Sequence, residues 1–307
     1  MLPFTCHGEK WLYLVRKRQA FIVPTDLKGE EYQSLVHQVS RQFYQGSGTD
    51  LEQKRALDRD VDRTFEQLQT RIMSSKRSNY FLLKSQSLPT EFMTWKSRSH
   101  QLLSIFLLLK PQIGYCQGMT SMAAVLVQES KMSGEIAFRL FLALTEKYRL
   151  DDVYGPDMKD MNLRYFQLDE ALRLHLPRLH AHLSDHDIHP STYASSWILT
   201  LFTECKIFPH RYVIAFLELF FEFGWQVFFQ TCLAIFSTIE APLLRKSTSE
   251  AIFTYLSEVT WFYRHKTDND LDRFFANART FNISSSFLDV LQGEYSTEAS
   301  MSMNEYD

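Results

Sequence analysis

The sequence predicts an all-α protein, and three observations support this fold class. Apolar residues recur at three- and four-residue spacing along most of the 307-residue chain, which is the period of an amphipathic helix. Glycine and proline, which interrupt helices, number only 10 and 9. No run of alternating apolar and polar residues is long enough to predict a strand. With 45% hydrophobic residues, the chain can bury one large core or two smaller ones.

Helical periodicity places the elements of the N-terminal half. Two amphipathic stripes come first, and their apolar positions are Tyr32, Leu35, Val39 and Phe43 in one and Leu57, Val61, Phe65, Leu68 and Ile72 in the other. The segment Leu102–Leu109 is apolar on nearly all sides. It ends before Pro111, a residue that cannot continue a helix, and therefore predicts a buried helix. Helical character resumes over Met119–Gln128.

Proline and glycine punctuate the C-terminal half. Gly155-Pro156-Asp157 predicts a turn, and Pro177 and Pro190 separate the helices that follow. The long apolar stretch Tyr212–Phe236 has the length of a membrane span. However, one polar stripe runs along it, formed by Glu218, Glu222, Gln226 and Gln230. Because carboxylates near a bilayer centre are costly, the stretch predicts core helices, broken or bent near Gly224.

Charge and cysteine content exclude several classes of protein. The net charge of −3 and the absence of a basic stripe disfavour a nucleic-acid-binding protein. The four cysteines have no C-x-x-C spacing and predict neither a disulfide framework nor a zinc site. Five histidines fall on several faces of a proline-interrupted segment and predict no metal site; they are His175, His180, His182, His186 and His189.

Two short strings of sequence contain the candidate functional residues. They are Leu57-x-x-Asp60-x-x-Arg63-Thr64 and Gly114-Tyr115-Cys116-Gln117-Gly118-Met119. Arg63 offers a planar, permanently charged set of donors that suits phosphate oxygens. Gln117 lies in a turn bounded by glycines, where its amide can hold a water molecule.

Together, in this order and among predicted helices, the two strings resemble the signature of the TBC domain, the helical module of GTPase-activating proteins for Rab GTPases. The resemblance continues through three further segments and then reaches Phe220–Phe236. These segments are Leu176-Pro177-x-Leu179-x-x-His182-Leu183, Ile188-x-Pro190-x-x-Tyr193-Ala194 and Trp197-x-x-Thr200-Leu201-Phe202. It implies a TBC-domain-like fold of two packed helical subdomains.

The resemblance also implies domain bounds. Residues 1–26 are expected to be a divergent or partial N-terminal segment, residues 27–292 the TBC domain, and residues 293–307 a polar, disordered tail. The family's opening Arg-x-x-x-Trp element is not matched in residues 1–28, where Trp11 lies too far from the family-like segment Gly29–Val36. Two residues near the strings differ from the family's usual pattern. Glu66 stands where proline is common, so the helix of Arg63 should continue, and Thr120 replaces a common asparagine.

Function and partner follow from the same resemblance. It implies a protein that is no enzyme by itself but a GTPase activator in vesicle trafficking, which supplies Arg63 as an arginine finger and Gln117 as a glutamine finger to a GTP-bound Rab. GTP and Mg²⁺ belong to that partner, so the chain is expected to have no cofactor of its own. The expected location is the cytoplasm, with recruitment to intracellular membrane surfaces through the partner and without a transmembrane segment.

The supporting residues have simpler interpretations as well. Asp60, one helical turn before Arg63, could orient the guanidinium, yet such a pair alone is often a surface ion pair of little energy. Gln117 alone could satisfy backbone groups in its turn. The remaining supporting residues are Gly114 and Gly118, which permit a tight path, Tyr115, which braces the turn, and Thr64. A catalytically silent Rab-binding or scaffold module is the alternative function, and the unmatched opening element motivates it.

Overall fold

The computed structural model describes residues 4–17, 29–42, 49–74, 88–204, 208–257 and 268–304. These ranges contain helices, turns and loops but no β-strand, which confirms the predicted fold class. The chain divides into two compact units, residues 1–157 and 158–307. The division falls at the Gly155-Pro156-Asp157 turn that the sequence predicts.

The first unit is built around one apolar helix. Its described helices are α1 His7–Lys17, α2 Gly29–Gln42, α3 Thr49–Ser74, α4 Leu88–Leu109, α5 Met119–Glu129, α6 Gly134–Leu142 and α7 Leu150–Tyr154, with a π-helical turn at Ala143–Lys147. Helices α2, α3, α5 and α6 all pack against α4. Leu102, Leu103, Ile105 and Phe106 of α4 are completely buried, as predicted for a helix that is apolar on nearly all sides.

Helix α1, which lies in the N-terminal segment, packs into this core. Trp11 is completely buried, and α1 packs against α5 and α6. The ammonium group of Lys147 also donates a hydrogen bond to the carbonyl oxygen of Val15. The sequence assigned Trp11 no role because its partners are more than a hundred residues away along the chain. Residues 18–28 lie outside the described ranges.

Helix α3 extends past the motif that contains Arg63. It continues to Ser74, which confirms the prediction that the absence of proline at Glu66 lets the helix run on. Leu57, Val61 and Phe65 are buried, and the ring of Phe65 packs edge-on against Trp95 of α4 at 5.0 Å. The predicted stripe therefore faces α4. Of the predicted apolar positions, Phe43 and the side chain of Ile72 lie outside the described residues.

The second unit is also arranged around a buried helix. Its described helices are α8 Lys159–His175, α9 Pro177–Asp185, α10 Pro190–Tyr193, α11 Ser195–Thr200, α12 His210–Phe223, α13 Trp225–Leu243, α14 Ser249–Ser257, α15 Asp268–Ala278 and α16 Ser285–Asn304. Helices α8, α12, α15 and α16 pack against α13. Trp197 and Phe202 are buried, and both belong to the aromatic core of this unit.

Gly224 separates α12 from α13, so the long apolar stretch is two helices, as predicted. Its backbone angles are φ 72° and ψ −150°, a region that only glycine occupies without strain. In the described ranges, no helix is both long and apolar enough to cross a membrane.

The terminal helix α16 begins at a serine N-cap and ends later than expected. The Ser284 hydroxyl oxygen accepts a hydrogen bond from the backbone N–H of Phe287 at 3.1 Å, which is the geometry of an N-cap. The helix then continues to Asn304. The structure thus differs from the predicted disordered tail over residues 293–304, where Tyr295 packs its ring 5.6 Å from that of Phe166.

Replacing Gly224 by alanine should destabilise the second unit. A Cβ at this φ and ψ costs about 1–3 kcal/mol, so we expect the free energy of unfolding to fall by that amount in urea denaturation followed by circular dichroism. Gly293→Ala is the matched control. Apart from its chain neighbours and the nearby backbone of its own helix, no atom lies within 4 Å of a Cβ at Gly293. Alanine within a helix should therefore raise the free energy of unfolding by about 0.5–1 kcal/mol. Equal effects of the two substitutions would contradict the assignment of strain to Gly224.

Candidate functional site

Helix α3 places Asp60 and Arg63 on one face, one turn apart. Asp60 is 7% exposed, whereas the Arg63 side chain is 52% exposed. The Arg63 guanidinium donates a hydrogen bond to one carboxylate oxygen of Asp60. A buried carboxylate therefore anchors an exposed guanidinium, and this charge-assisted contact restricts the orientations that Arg63 adopts. The ion pair predicted from the sequence is present.

The loop between α4 and α5 holds the second string in a tight turn. Gly114 and Gly118 both have positive φ, 74° and 107°, where a side chain would cause strain. A Cβ at Gly114 would also lie 2.9 Å from the amide nitrogen of Gln53 on α3. Both glycines therefore have backbone conformations that favour glycine. At Gly114 the absence of a side chain lets the turn approach α3 closely.

Tyr115 connects this turn to the Arg63 pair. Its hydroxyl donates a hydrogen bond to the second carboxylate oxygen of Asp60 and lies 2.9 Å from the hydroxyl oxygen of Thr120. Since the single Tyr115 proton goes to Asp60, Thr120 acts as the donor to Tyr115. Burial, followed by the hydrogen bond to Asp60, raises the pKa of Tyr115 far above its ordinary value. The hydroxyl thus stays protonated and remains a donor to Asp60.

Gln117 lies two residues after Tyr115, on the exposed side of the same turn. Its side chain forms no hydrogen bond with any residue that the structure describes. The simpler interpretation, in which the Gln117 amide satisfies backbone groups of the turn, is therefore not realised. The amide retains both its donor and its acceptor groups for an external partner.

Cys116, between Tyr115 and Gln117, has a different character. Burial, together with the negative charge of Asp60, raises the pKa of its thiol to about 11. Because the thiolate is the nucleophilic form, Cys116 is unreactive near neutral pH. Its backbone N–H points to the sulfur of Met119 at 3.5 Å, so this residue helps to close the turn.

Four hydrogen-bonding side chains thus form one connected network, which we call the Asp60 network: Arg63, Asp60, Tyr115 and Thr120. The sequence predicted the pair of Asp60 and Arg63 and a bracing role for Tyr115 in its turn, and it treated Thr120 only as a departure from the family. Thr120 is completely buried, and its position directly after the second string was the available signal. Thr64, predicted as a supporting residue, is half-buried on α3 and is not part of the network.

The histidines of the second unit differ from the prediction in one respect. The rings of His182 and His186 share one face and lie 4.5 Å apart, although the sequence placed the histidines on several faces. His180 lies 3.1 Å from a carboxylate oxygen of Asp169. Among the residues described, no group of three or more histidine, cysteine, aspartate or glutamate side chains could hold a metal ion.

A known protein family and several known proteins are similar to parts of this chain. Residues 95–244 match the family model of the Rab-GTPase-TBC domain. This stretch contains the Gln117 turn but begins after Arg63. The mouse protein "TBC1 domain family member 4" is 34% identical over 155 residues, which are 50% of this chain and 12% of the relative. The fission yeast "GTPase activating protein Gyp51" is 28% identical over 246 residues, 78% of this chain and 23% of the relative.

Solved structures share the fold. The Chlamydomonas flagellar RabGAP TBC domain superimposes with a TM-score of 0.62 at 20% identity, over 90% of this chain and 80% of that one. The Ypt/Rab-GAP domain of Gyp1p gives a TM-score of 0.62 at 14% identity, over 89% and 87% of the two chains. By contrast, this chain spans about a quarter or less of the length of the two sequence relatives.

Proposed function

Because residues 95–244 of this chain match the family model of the Rab-GTPase-TBC domain, we propose that it is a GTPase-activating protein for a Rab-family small GTPase. In this proposal it supplies two side chains in trans, Arg63 to the phosphates and Gln117 to the attacking water. The partner contributes GTP and Mg²⁺. The activator therefore has no cofactor of its own and no independent reaction.

The observation that carries this proposal is the Asp60 network. One carboxylate contacts Arg63 through one oxygen and Tyr115 through the other. The two strings, separate in sequence, are thus joined by the hydrogen bond from Tyr115 to Asp60. Gln117 lies two residues after Tyr115. Both proposed fingers are exposed, whereas the residues that hold them are buried or half-buried. Exposed functional groups on a rigid support suit the stabilisation of a transition state on another protein.

Arg63 would act on the charge that develops during hydrolysis. As the bond to the γ-phosphate loosens, negative charge builds on the oxygens of the γ-phosphoryl group and of the leaving group. A guanidinium placed there stabilises the transition state more than the ground state. An arginine finger is worth roughly a thousandfold to a hundred-thousandfold in the rate of GTP hydrolysis by small GTPases.

Gln117 would position the nucleophile. Its carbonyl oxygen accepts a hydrogen bond from the attacking water, and its amide nitrogen donates one toward the γ-phosphate. Holding the water in line with the breaking bond removes orientational freedom before the reaction begins. In this role Gln117 replaces the switch glutamine of the GTPase itself.

A hydrolysis screen across a panel of GTP-loaded Rab proteins tests the proposal. We expect the wild-type chain to accelerate single-turnover GTP hydrolysis by at least one member of the panel. A catalytically silent Rab-binding module is the second candidate, favoured by the family match that begins only at residue 95 and omits Arg63. GTP-dependent binding to a Rab without acceleration would support that candidate and contradict the activator.

Tyr115→Phe tests the Asp60 network within this function. The substitution removes the hydroxyl that fixes Asp60, so the Arg63 guanidinium should lose part of its orientation. We expect stimulated hydrolysis to fall about tenfold, the effect of one lost hydrogen bond to a charged group. Single-turnover rates at saturating activator measure the change. Tyr13→Phe, at an exposed tyrosine of α1, should leave the rate unchanged, and an unchanged rate for Tyr115→Phe as well would remove Tyr115 from the site.

A further inference from the structure

A cavity of about 220 Å³ lies in the second unit, lined by residues of α12, α13 and α15 and by Arg279. Two aromatic side chains, Phe223 and Phe275, contribute to its apolar wall. The volume is far above the roughly 10–15 Å³ that admits one water molecule. It is smaller than the pockets of about 300–1,000 Å³ that bind drug-sized ligands. The cavity therefore suits a compact molecule with an apolar part.

A buried hydroxyl without a partner lines this cavity. Thr231 has no exposed surface, and its side-chain oxygen forms no hydrogen bond with any described residue. On the same helix, the Thr238 hydroxyl donates to the carbonyl oxygen of Ala234 at 2.7 Å. A buried polar group that lacks a partner lowers stability. Thr231 is therefore a donor that the free protein leaves unused.

Two glutamines on the same wall of α13 are fixed by their neighbours. The side-chain oxygen of Gln226 accepts a hydrogen bond from the Ser285 hydroxyl at 3.2 Å. The amide nitrogen of Gln230 donates to the carbonyl oxygen of Phe281 at 3.1 Å. These contacts hold both side chains in place around the cavity. They leave the amide nitrogen of Gln226 as a further donor.

The residues that line the cavity carry a positive charge but no negative one. Arg279 is exposed just after α15 and lines the cavity, whereas none of the lining residues is acidic. Within the described ranges, Arg279 forms no ion pair. The positive charge of Arg279, together with the unused hydroxyl of Thr231, favours an anionic group.

We infer that this cavity binds a small aromatic monocarboxylate. The ring packs against Phe223 and Phe275, and the carboxylate accepts hydrogen bonds from Thr231 and Arg279. All of these residues belong to the second unit, whereas Arg63 and Gln117 belong to the first. The site is thus separate from the proposed GTPase-activating residues and its test is independent of GTP hydrolysis.

Calorimetric titration of the whole chain with 3-phenylpropanoate tests the chemical class. For a ligand of this size we expect a Kd on the order of 1 mM. The neutral analogue 3-phenylpropan-1-ol keeps the ring but lacks the charge, so it should bind at least about tenfold more weakly. Equal affinity of the acid and the alcohol, or no binding of the acid to the wild-type chain, would overturn the inference.

Two substitutions locate the binding groups. Arg279→Gln should weaken binding of 3-phenylpropanoate about tenfold, and Thr231→Val about fivefold, as expected for one lost hydrogen bond each. Thr238→Val and Arg273→Gln are matched controls at positions outside the cavity, and both should retain the wild-type Kd. Unchanged binding in both cavity variants would place the ligand elsewhere and overturn the inference.

The thermal midpoint distinguishes a ligand-binding hydroxyl from a structural one. Valine has the shape of threonine without the hydroxyl, so Thr231→Val should raise the midpoint of the free protein while it weakens binding. Thr238→Val removes a hydroxyl that is already hydrogen-bonded and should not raise it. A lower midpoint for Thr231→Val would show that its hydroxyl stabilises the fold and would contradict its role as an unused donor.

Discussion

Replacing Arg63 by alanine should lower stimulated GTP hydrolysis by at least about a hundredfold, which is a conservative value for the loss of a trans arginine finger. About half of the Arg63 side chain is exposed, and its guanidinium is held by a hydrogen bond to Asp60. The other donors of the network are less accessible, since Tyr115 is half-buried and Thr120 is completely buried. Single-turnover hydrolysis by the most responsive Rab, measured at saturating activator, gives the magnitude. Arg63→Lys should recover little, because an ammonium group cannot contact two oxygens as a guanidinium does.

The matched control for Arg63 is Arg59→Ala, on an exposed position one turn earlier in α3. It removes the same charge from the same helix without removing the proposed finger. Far-ultraviolet circular dichroism of both variants should be that of the wild type, since neither side chain is buried. Equal rates for Arg63→Ala and the wild type would end the arginine-finger assignment. Equal losses in the two variants would indicate a general effect of charge on association.

Gln117→Ala should have the second large effect, and a Rab variant gives the sharpest test of it. If Gln117 positions the water, then a Rab whose switch glutamine is replaced by leucine should still be stimulated by the wild-type chain. Gln117→Ala should then lower stimulation of both forms of the Rab by about a hundredfold or more, similar to the loss of another preorganised catalytic donor. Binding to the GTP-loaded Rab should change far less.

Gln112→Ala is the control for this substitution, because Gln112 is an exposed glutamine in the same loop. It should leave both rates unchanged. Two results would contradict the trans-glutamine mechanism. One is complete loss of stimulation when the Rab carries leucine at its switch position, and the other is wild-type stimulation by Gln117→Ala.

Local signals in the sequence predicted much of the fold. Gly224 between two apolar runs predicted the break between α12 and α13, since glycine alone tolerates that backbone conformation. Pro111 likewise predicted the end of α4, because proline cannot continue a helix. Trp11 was missed for a different reason. Its burial depends on packing against α5 and α6, and no local pattern in residues 1–28 reports contacts with helices so distant in sequence.

In the candidate site, too, a contact within one helix could be predicted from the sequence, whereas contacts that depend on the folding of the chain could not. The contact of Asp60 with Arg63 follows from their spacing on one helix, and the sequence predicted it. The contact of Asp60 with Tyr115 joins positions 55 residues apart, and spacing alone does not reveal it. Thr120 was missed because its contact with Tyr115 depends on the turn at Gly118, which brings the start of α5 back toward the loop.

The ion pair of Arg63 with Asp60 affects the diffusional encounter of this protein with a GTPase. In the free protein, the positive charge of Arg63 is balanced by a carboxylate in direct contact, so the pair is nearly neutral when viewed from a distance of a Debye length, about 8 Å at physiological ionic strength. Arg63 therefore adds little to the long-range attraction that accelerates diffusional encounter. The speed of approach and its dependence on salt are set by other surface charges. The guanidinium exerts its effect only after the phosphates have come within reach.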